Sequence, residues 1–122
     1  MKPETMMIDE VKYVREDFIK SKQVDMVDGL KYVIVRTDSA GVFAGYLESR
    51  DGREVVLLNA RRLWRWEGAA SLSQLAMEGV SKPDDCKFPC EVNRVELLEA
   101  IEILDVTKKA KESIDGVKIW KA

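Results

Sequence analysis

Between Arg61 and Trp66 the chain places three arginines and two tryptophans in six residues, with no acid among them. Guanidinium forks match phosphate oxygens two bonds at a time, and indole faces stack on nucleobases. Arg61, Arg62, Trp64 and Trp66 are therefore candidate contacts for a nucleotide or another small phosphorylated ligand. The same cluster could equally be a packed strand whose arginines are solvated, so the rest of the chain has to arbitrate.

Catalysis finds little support. The chain has no histidine, the side chain most often used to move protons near neutral pH. No nucleophile elbow, phosphate-binding glycine loop or dinucleotide fingerprint is present. Carboxylates are plentiful, with 22 Asp plus Glu, but none stands in a recognisable catalytic pattern. Binding without chemistry is the expectation, and no cofactor is implied. Cys86 and Cys90 have a spacing unlike a thioredoxin-type redox pair and no histidine to complete a metal site, so they read as free thiols.

At 122 residues the chain is the size of one domain. Its 34% charged content exceeds the ~25% average and suits a soluble surface. With 20 Lys plus Arg against 22 Asp plus Glu, the balance disfavours a long nucleic acid, which needs a broad basic face. The start Met1-Lys2-Pro3-Glu4 is unlike a secretion signal, and runs such as Val55–Leu58 are too short to span a bilayer. A cytoplasmic protein is expected.

The elements that must position the cluster follow from periodicity. Met7, Val11, Val14 and Phe18 recur at helical spacing, with acids before them and Lys20 and Lys22 after, so residues 1–29 read as an N-terminal amphipathic helix for packing or oligomerisation. Residues 30–122 read as an α+β ligand-binding domain. Leu30–Thr37, Val42–Ser49 and Arg53–Asn59 are three strands of a small antiparallel meander, separated by Asp38–Gly41 and the hairpin signal Asp51-Gly52. Gly45 marks a bulge or a close approach by another chain segment. Ala60–Trp66 is expected to continue as a further strand, with Arg62, Trp64 and Trp66 on one face and Arg61, Leu63 and Arg65 on the other. A short helix follows, capped by Ser71 or Ser73 and stopped at Gly79. Val80–Cys90 reads as a loop that exposes Phe88. Leu97–Val106 reads as one strand, Thr107–Ile114 as a capped lysine-rich helix, and Gly116–Trp120 as a short terminal element.

The run Ala60–Gly79, A-R-R-L-W-R-W-E-G-A-A-S-L-S-Q-L-A-M-E-G, resembles the phage-encoded Thoeris anti-defence protein 1 family. The resemblance extends over roughly Leu30 to Trp120, with Val42–Tyr46, Phe88, Asn93 and the last helix as supporting features. It implies a protein that binds cyclic ADP-ribose isomers, made by TIR-domain enzymes during infection, and holds them uncut as a sponge. It further implies homo-oligomers, dimers or hexamers, with ligand pockets between protomers. Some members also hold cyclic oligonucleotides at separate sites.

Such a ligand carries a pyrophosphate, riboses and an adenine. Arg61 and Arg62 would clamp the pyrophosphate, while Phe43, Trp64, Trp66 or Phe88 would stack on the base. Asn93 would bond a base edge or a ribose hydroxyl, and Lys109 on the last helix would reach an anion. Two other readings compete: a carboxylate-dependent nucleotide hydrolase, and a phage interaction module without a small ligand.

Overall fold

A computed structural model describes residues 26–27 and 29–122. The amphipathic helix expected in residues 1–29 lies outside the described residues. The chain divides between Lys31 and Tyr32. Before that point, β1 (Met26–Val27) pairs antiparallel with Leu30 and Lys31 around Gly29.

Beyond it the chain forms a curled antiparallel sheet. Its strands are β2 (Leu30–Thr37), β3 (Val42–Asp51), β4 (Glu54–Arg62), β5 (Glu91–Leu97) and β6 (Ala100–Asp105). The order across the sheet is β6-β2-β3-β4-β5, every pair antiparallel. The consecutive strands β5 and β6 thus lie at opposite edges, joined only by Leu98 and Glu99. Five flat strands would separate those edges by about 19 Å, whereas this connection reaches about 11 Å at most. The sheet therefore has to roll up into a small, partly open barrel.

Backbone bonds from the connection show the closure: Glu99 O accepts from Asp38 N at 3.0 Å, and Ala100 N donates to Arg53 O at 2.9 Å. Strand β3 supplies the bend through register shifts at Ala44/Tyr46 and Leu47/Ser49. Gly45 sits in the first of these. A Cβ there would stand 3.0 Å from Ala60 Cα and 3.1 Å from Leu58 O, so β4 could not lie as close to a larger residue.

Inside the roll, Val33, Val35, Phe43, Val55, Leu57, Ala60, Leu97 and Ala100 form the core, with Leu47, Val95 and Ile103 against it. Tyr32 to Val35 are buried without interruption, so both faces of β2 are covered there. On the outer face, Lys111 Nζ lies 5.0 Å from the Tyr32 ring and 5.7 Å from the Tyr46 ring. Lys111 belongs to α2 (Lys108–Asp115), whose cap Thr107 accepts from Ala110 N. The shorter α1 (Leu72–Glu78) is capped by Ser71, which accepts from Gln74 N at 3.1 Å, while Gln74 Oε1 accepts from Ala70 N at 2.7 Å. Thr107 Oγ1 donates to Met77 O at 2.7 Å and joins the two helices.

Two expectations need correction, and one strand was not expected. Ala60–Trp66 is not a separate strand: Ala60–Arg62 complete β4, and Arg65 beyond them makes one isolated bridge to Lys87. The expected strand Leu97–Val106 narrows to Ala100–Asp105, because Leu97 ends β5 and exposed Leu98 and Glu99 cross from one edge to the other. Glu91–Leu97 escaped the periodicity reading because only Leu97 is buried in it and Val95 half-buried, too few apolar positions to signal a strand.

Candidate functional site: an aromatic, cationic cleft

After β4 the chain keeps its alternation for two residues. Leu63 N donates to Val42 O at 2.8 Å and its side chain is buried, while Trp64 turns outward with 57% of its surface exposed. Arg65 then pairs with Lys87 through two backbone bonds of 3.2 and 2.8 Å. Phe88 pairs in turn with Ile119, and Trp120 N donates to Phe88 O at 3.0 Å. Lys87-Phe88 is thus the middle ply between the tryptophan segment and the chain's last residues.

That arrangement stacks the indoles of Trp64 and Trp120, with centroids 5.3 Å apart and planes 20° from parallel. Lys87 Nζ stands 5.8 Å from the first ring and 5.3 Å from the second, within cation–π range. Beside them lies a cleft of about 750 Å³. Its cations are Arg65, Lys87, Lys118 and Lys121, and its carboxylates Glu67, Asp84 and Asp85. Arg65 Nη2 meets Glu67 at 3.4 Å, both side chains being about half exposed, a contact of little energetic weight. The local balance favours anions modestly, and the carboxylates add acceptors for hydroxyl groups.

The expected ligand residues do not assemble in this cleft. Arg61 is buried and its guanidinium is committed to the main chain: Nε donates to Pro89 O (2.9 Å), Nη1 to Ile114 O (2.9 Å), and Nη2 to Phe88 O (3.1 Å) and Val117 O (2.7 Å). Burial pulls its pKa below the ordinary arginine value, with Tyr32, Asp115, Glu91 and Cys90 opposing. Arg62 is exposed. Its Nη1 donates to Ala40 O at 2.5 Å and its guanidinium lies 4.3 Å above the Phe43 ring. Phe43 belongs to the core. Phe88, read as an exposed loop aromatic, has no exposed surface, because the bridge to Ile119 draws its ring inward beneath Arg61.

Trp64 flanks the cleft and Trp66 is half-buried. Asn93 is exposed on β5, between the register pairs Leu58↔Arg94 and Ala60↔Val92. Lys109 is exposed on α2. Neither of these last two lines the cleft.

Sequence reasoning missed Trp120, Lys87, Lys118 and Lys121. For Trp120, Lys118 and Lys121 the signal was the K-I-W-K run at 118–121, which gains meaning when Trp120 meets Trp64. Cys86 is buried, its Sγ 3.4 Å from Glu67 N as acceptor, while Cys90 is exposed. Among the described residues no cluster of three or more His, Cys, Asp or Glu could hold a metal ion, and no helix is long and apolar enough to cross a membrane.

No curated protein and no solved structure matches the chain. Residues 30–114 match the model of a family described as a domain of unknown function, DUF6948. That span opens at β2 and closes within α2. It takes in the barrel, the Trp64 segment and the Lys87-Phe88 ply, so the chain belongs to the DUF6948 family.

Proposed function

We propose that the protein is a non-enzymatic, phage-encoded sponge that sequesters cyclic ADP-ribose isomers in the cytoplasm of an infected bacterium, as part of defeating Thoeris immunity. One observation carries the reading: an exposed, stacked indole pair beside a cleft that holds four cations. A base laid on the open face of Trp64 or Trp120 gains about 1–3 kcal/mol of stacking. Arg65, Lys118 and Lys121 then face the pyrophosphate, and Asp84 and Asp85 accept from ribose hydroxyls. The cleft volume of about 750 Å³ falls in the ~300–1,000 Å³ range of small-ligand sites.

A sponge has to hold its ligand at about nanomolar strength, roughly −12 kcal/mol, which demands burial from nearly all sides. A second copy of the chain, seated on Trp64, Ile119 and Trp120, supplies the missing wall in this reading. These three keep 57%, 54% and 43% of their surface exposed in the single chain.

Calorimetry with cyclic ADP-ribose isomers tests binding, and heating the complex tests sequestration. Saturable heat followed by recovery of intact ligand is the expected result. Recovery of a cleaved product replaces the sponge with a hydrolase that uses the cleft carboxylates. Absence of both heat and thermal stabilisation leaves an interaction module.

A further inference from the structure

The four carbonyls around Arg61 come from two stretches far apart in sequence, and each stretch leads straight to one member of the aromatic cluster. Phe88 and Pro89 follow Lys87. Ile114 and Val117 close α2 and start the segment that ends in Lys118, Ile119 and Trp120. A single nitrogen, Nη2, bridges both stretches, bonding Phe88 O and Val117 O together. Phe88 O also accepts from Trp120 N at 3.0 Å. The same oxygen therefore registers the indole-bearing segment against the guanidinium.

We infer that Arg61 is the positioning residue of the cleft, fixing Trp120 against Trp64 from inside while touching no ligand itself. The physical argument is one of shape. A guanidinium has five N–H groups in a rigid planar fork, and four separate acceptors in two segments need that spread. A lysine ammonium carries the charge but only three donors on one atom, so it leaves at least one of the four carbonyls without its side-chain donor and loses the fork that spans them. Hydrogen bonds from a charged donor are stronger than neutral ones, so the guanidinium ties the short stretch after Lys87 to the end of α2. Among the described residues, strand-like pairing in this region is otherwise limited to the isolated bridges Arg65–Lys87 and Phe88–Ile119. The effect on ligand binding rests on the function proposed above; the effect on indole geometry does not.

Circular dichroism of the full chain reads the geometry directly, since stacked indoles give a coupled pair of bands of opposite sign. The unaltered protein is expected to show this couplet, and Trp64→Phe and Trp120→Phe are each expected to remove it. Arg61→Lys is expected to unfold cooperatively yet lose most of the couplet, and to bind cyclic ADP-ribose about tenfold more weakly, the low end of the loss that follows removal of a supporting outer-shell partner at metal sites. A folded Arg61→Lys protein with an undiminished couplet overturns the assignment. Loss of the couplet in a protein whose unaltered form never bound cyclic ADP-ribose supports Arg61 as the positioning residue and rejects the sponge.

Hydrogen exchange on the unaltered chain gives a second measurement that needs no variant to fold. The amides of Arg65, Lys87 and Trp120 are expected to be protected as strongly as those of β2 and β3. Rapid exchange at these three beside a protected barrel overturns the proposal.

Discussion

Inside the rolled sheet, Val33, Val35, Val55 and Leu57 have no exposed surface, and bulges in β3 carry the curvature that packs them. At the cleft the terms are reversed. Two tryptophans and an isoleucine stand largely in solvent, held from below by single bridges and one buried guanidinium. The barrel gains its order from apolar area removed from water, which is cooperative and tolerant of surface change. The cleft gains its order from a few directional bonds and leaves its apolar area for something else to cover. Arg61 and Arg62 condense this contrast into two consecutive residues. The first faces in and is saturated by carbonyls; the second faces out and rests on Ala40 O and the Phe43 ring.

The contrast breaks most visibly if buried members of the tryptophan segment prove dispensable. Phe88→Ala is expected to cost about 3–5 kcal/mol of unfolding free energy, the usual range for a buried phenylalanine. Arg61→Ala is expected to cost a similar ~3–5 kcal/mol, because four carbonyls lose the guanidinium in the interior, with Phe88 O and Ile114 O keeping the backbone donors Trp120 N and Val117 N. Urea denaturation measures both. Arg62→Ala, by comparison, should stay within about 1 kcal/mol of the parent, so near-equal losses for the two arginines would erase the distinction.

Trp64→Ala and Trp120→Ala sharpen the opposite side. Each is expected to weaken cyclic ADP-ribose binding by about 1–3 kcal/mol, read by calorimetry, while the urea midpoint moves little. A large stability loss with unchanged affinity would make the indole pair a piece of packing.

Alkaline pH probes the seam between barrel and α2. Burial, and after it the negative fields of Asp115, Tyr46 and Glu91, push the Tyr32 hydroxyl well above its ordinary value of 10.0. Burial works to lower Lys111, but the hydrogen bond and charge of Asp115, with Tyr46, outweigh it and raise its pKa above 10.5. Both groups keep their protons in the folded state at pH values where the unfolded chain has shed them. Stability is therefore complete below about pH 10 and falls above it, by at most about 1.4 kcal/mol per pH unit for each group. Tyr32→Phe is expected to flatten the decline between pH 10 and 12, measured as the urea midpoint against pH.

The smallest expected effect belongs to the exposed pair Arg36–Glu102, whose Nε–Oε1 separation is 2.9 Å. Breaking it by Glu102→Gln should change stability by under about 1 kcal/mol, and less in high salt.

Periodicity and turn chemistry made much of this fold legible. Leu30–Thr37 is rich in β-branched residues, Asp51-Gly52 closes a hairpin, and Ser71 and Thr107 cap helices where their hydroxyls accept N–H groups. Those are local energies, decided within a few residues. The strand Glu91–Leu97 was hidden because an edge position buries little, and the side to which Phe88 turns was hidden because one bridge to Ile119 decides it.

What the sequence determined by itself was the presence of cationic and aromatic side chains around residues 61–66, and the meander that delivers them. Which of those side chains remain free was decided only by tertiary structure. Arg61 is consumed by carbonyls contributed from residues 88, 89, 114 and 117, and Trp64 gains its partner from residue 120. The physical reason is that solvent exposure and hydrogen-bond satisfaction depend on neighbours brought from far along the chain. No local pattern in a residue's own segment encodes them.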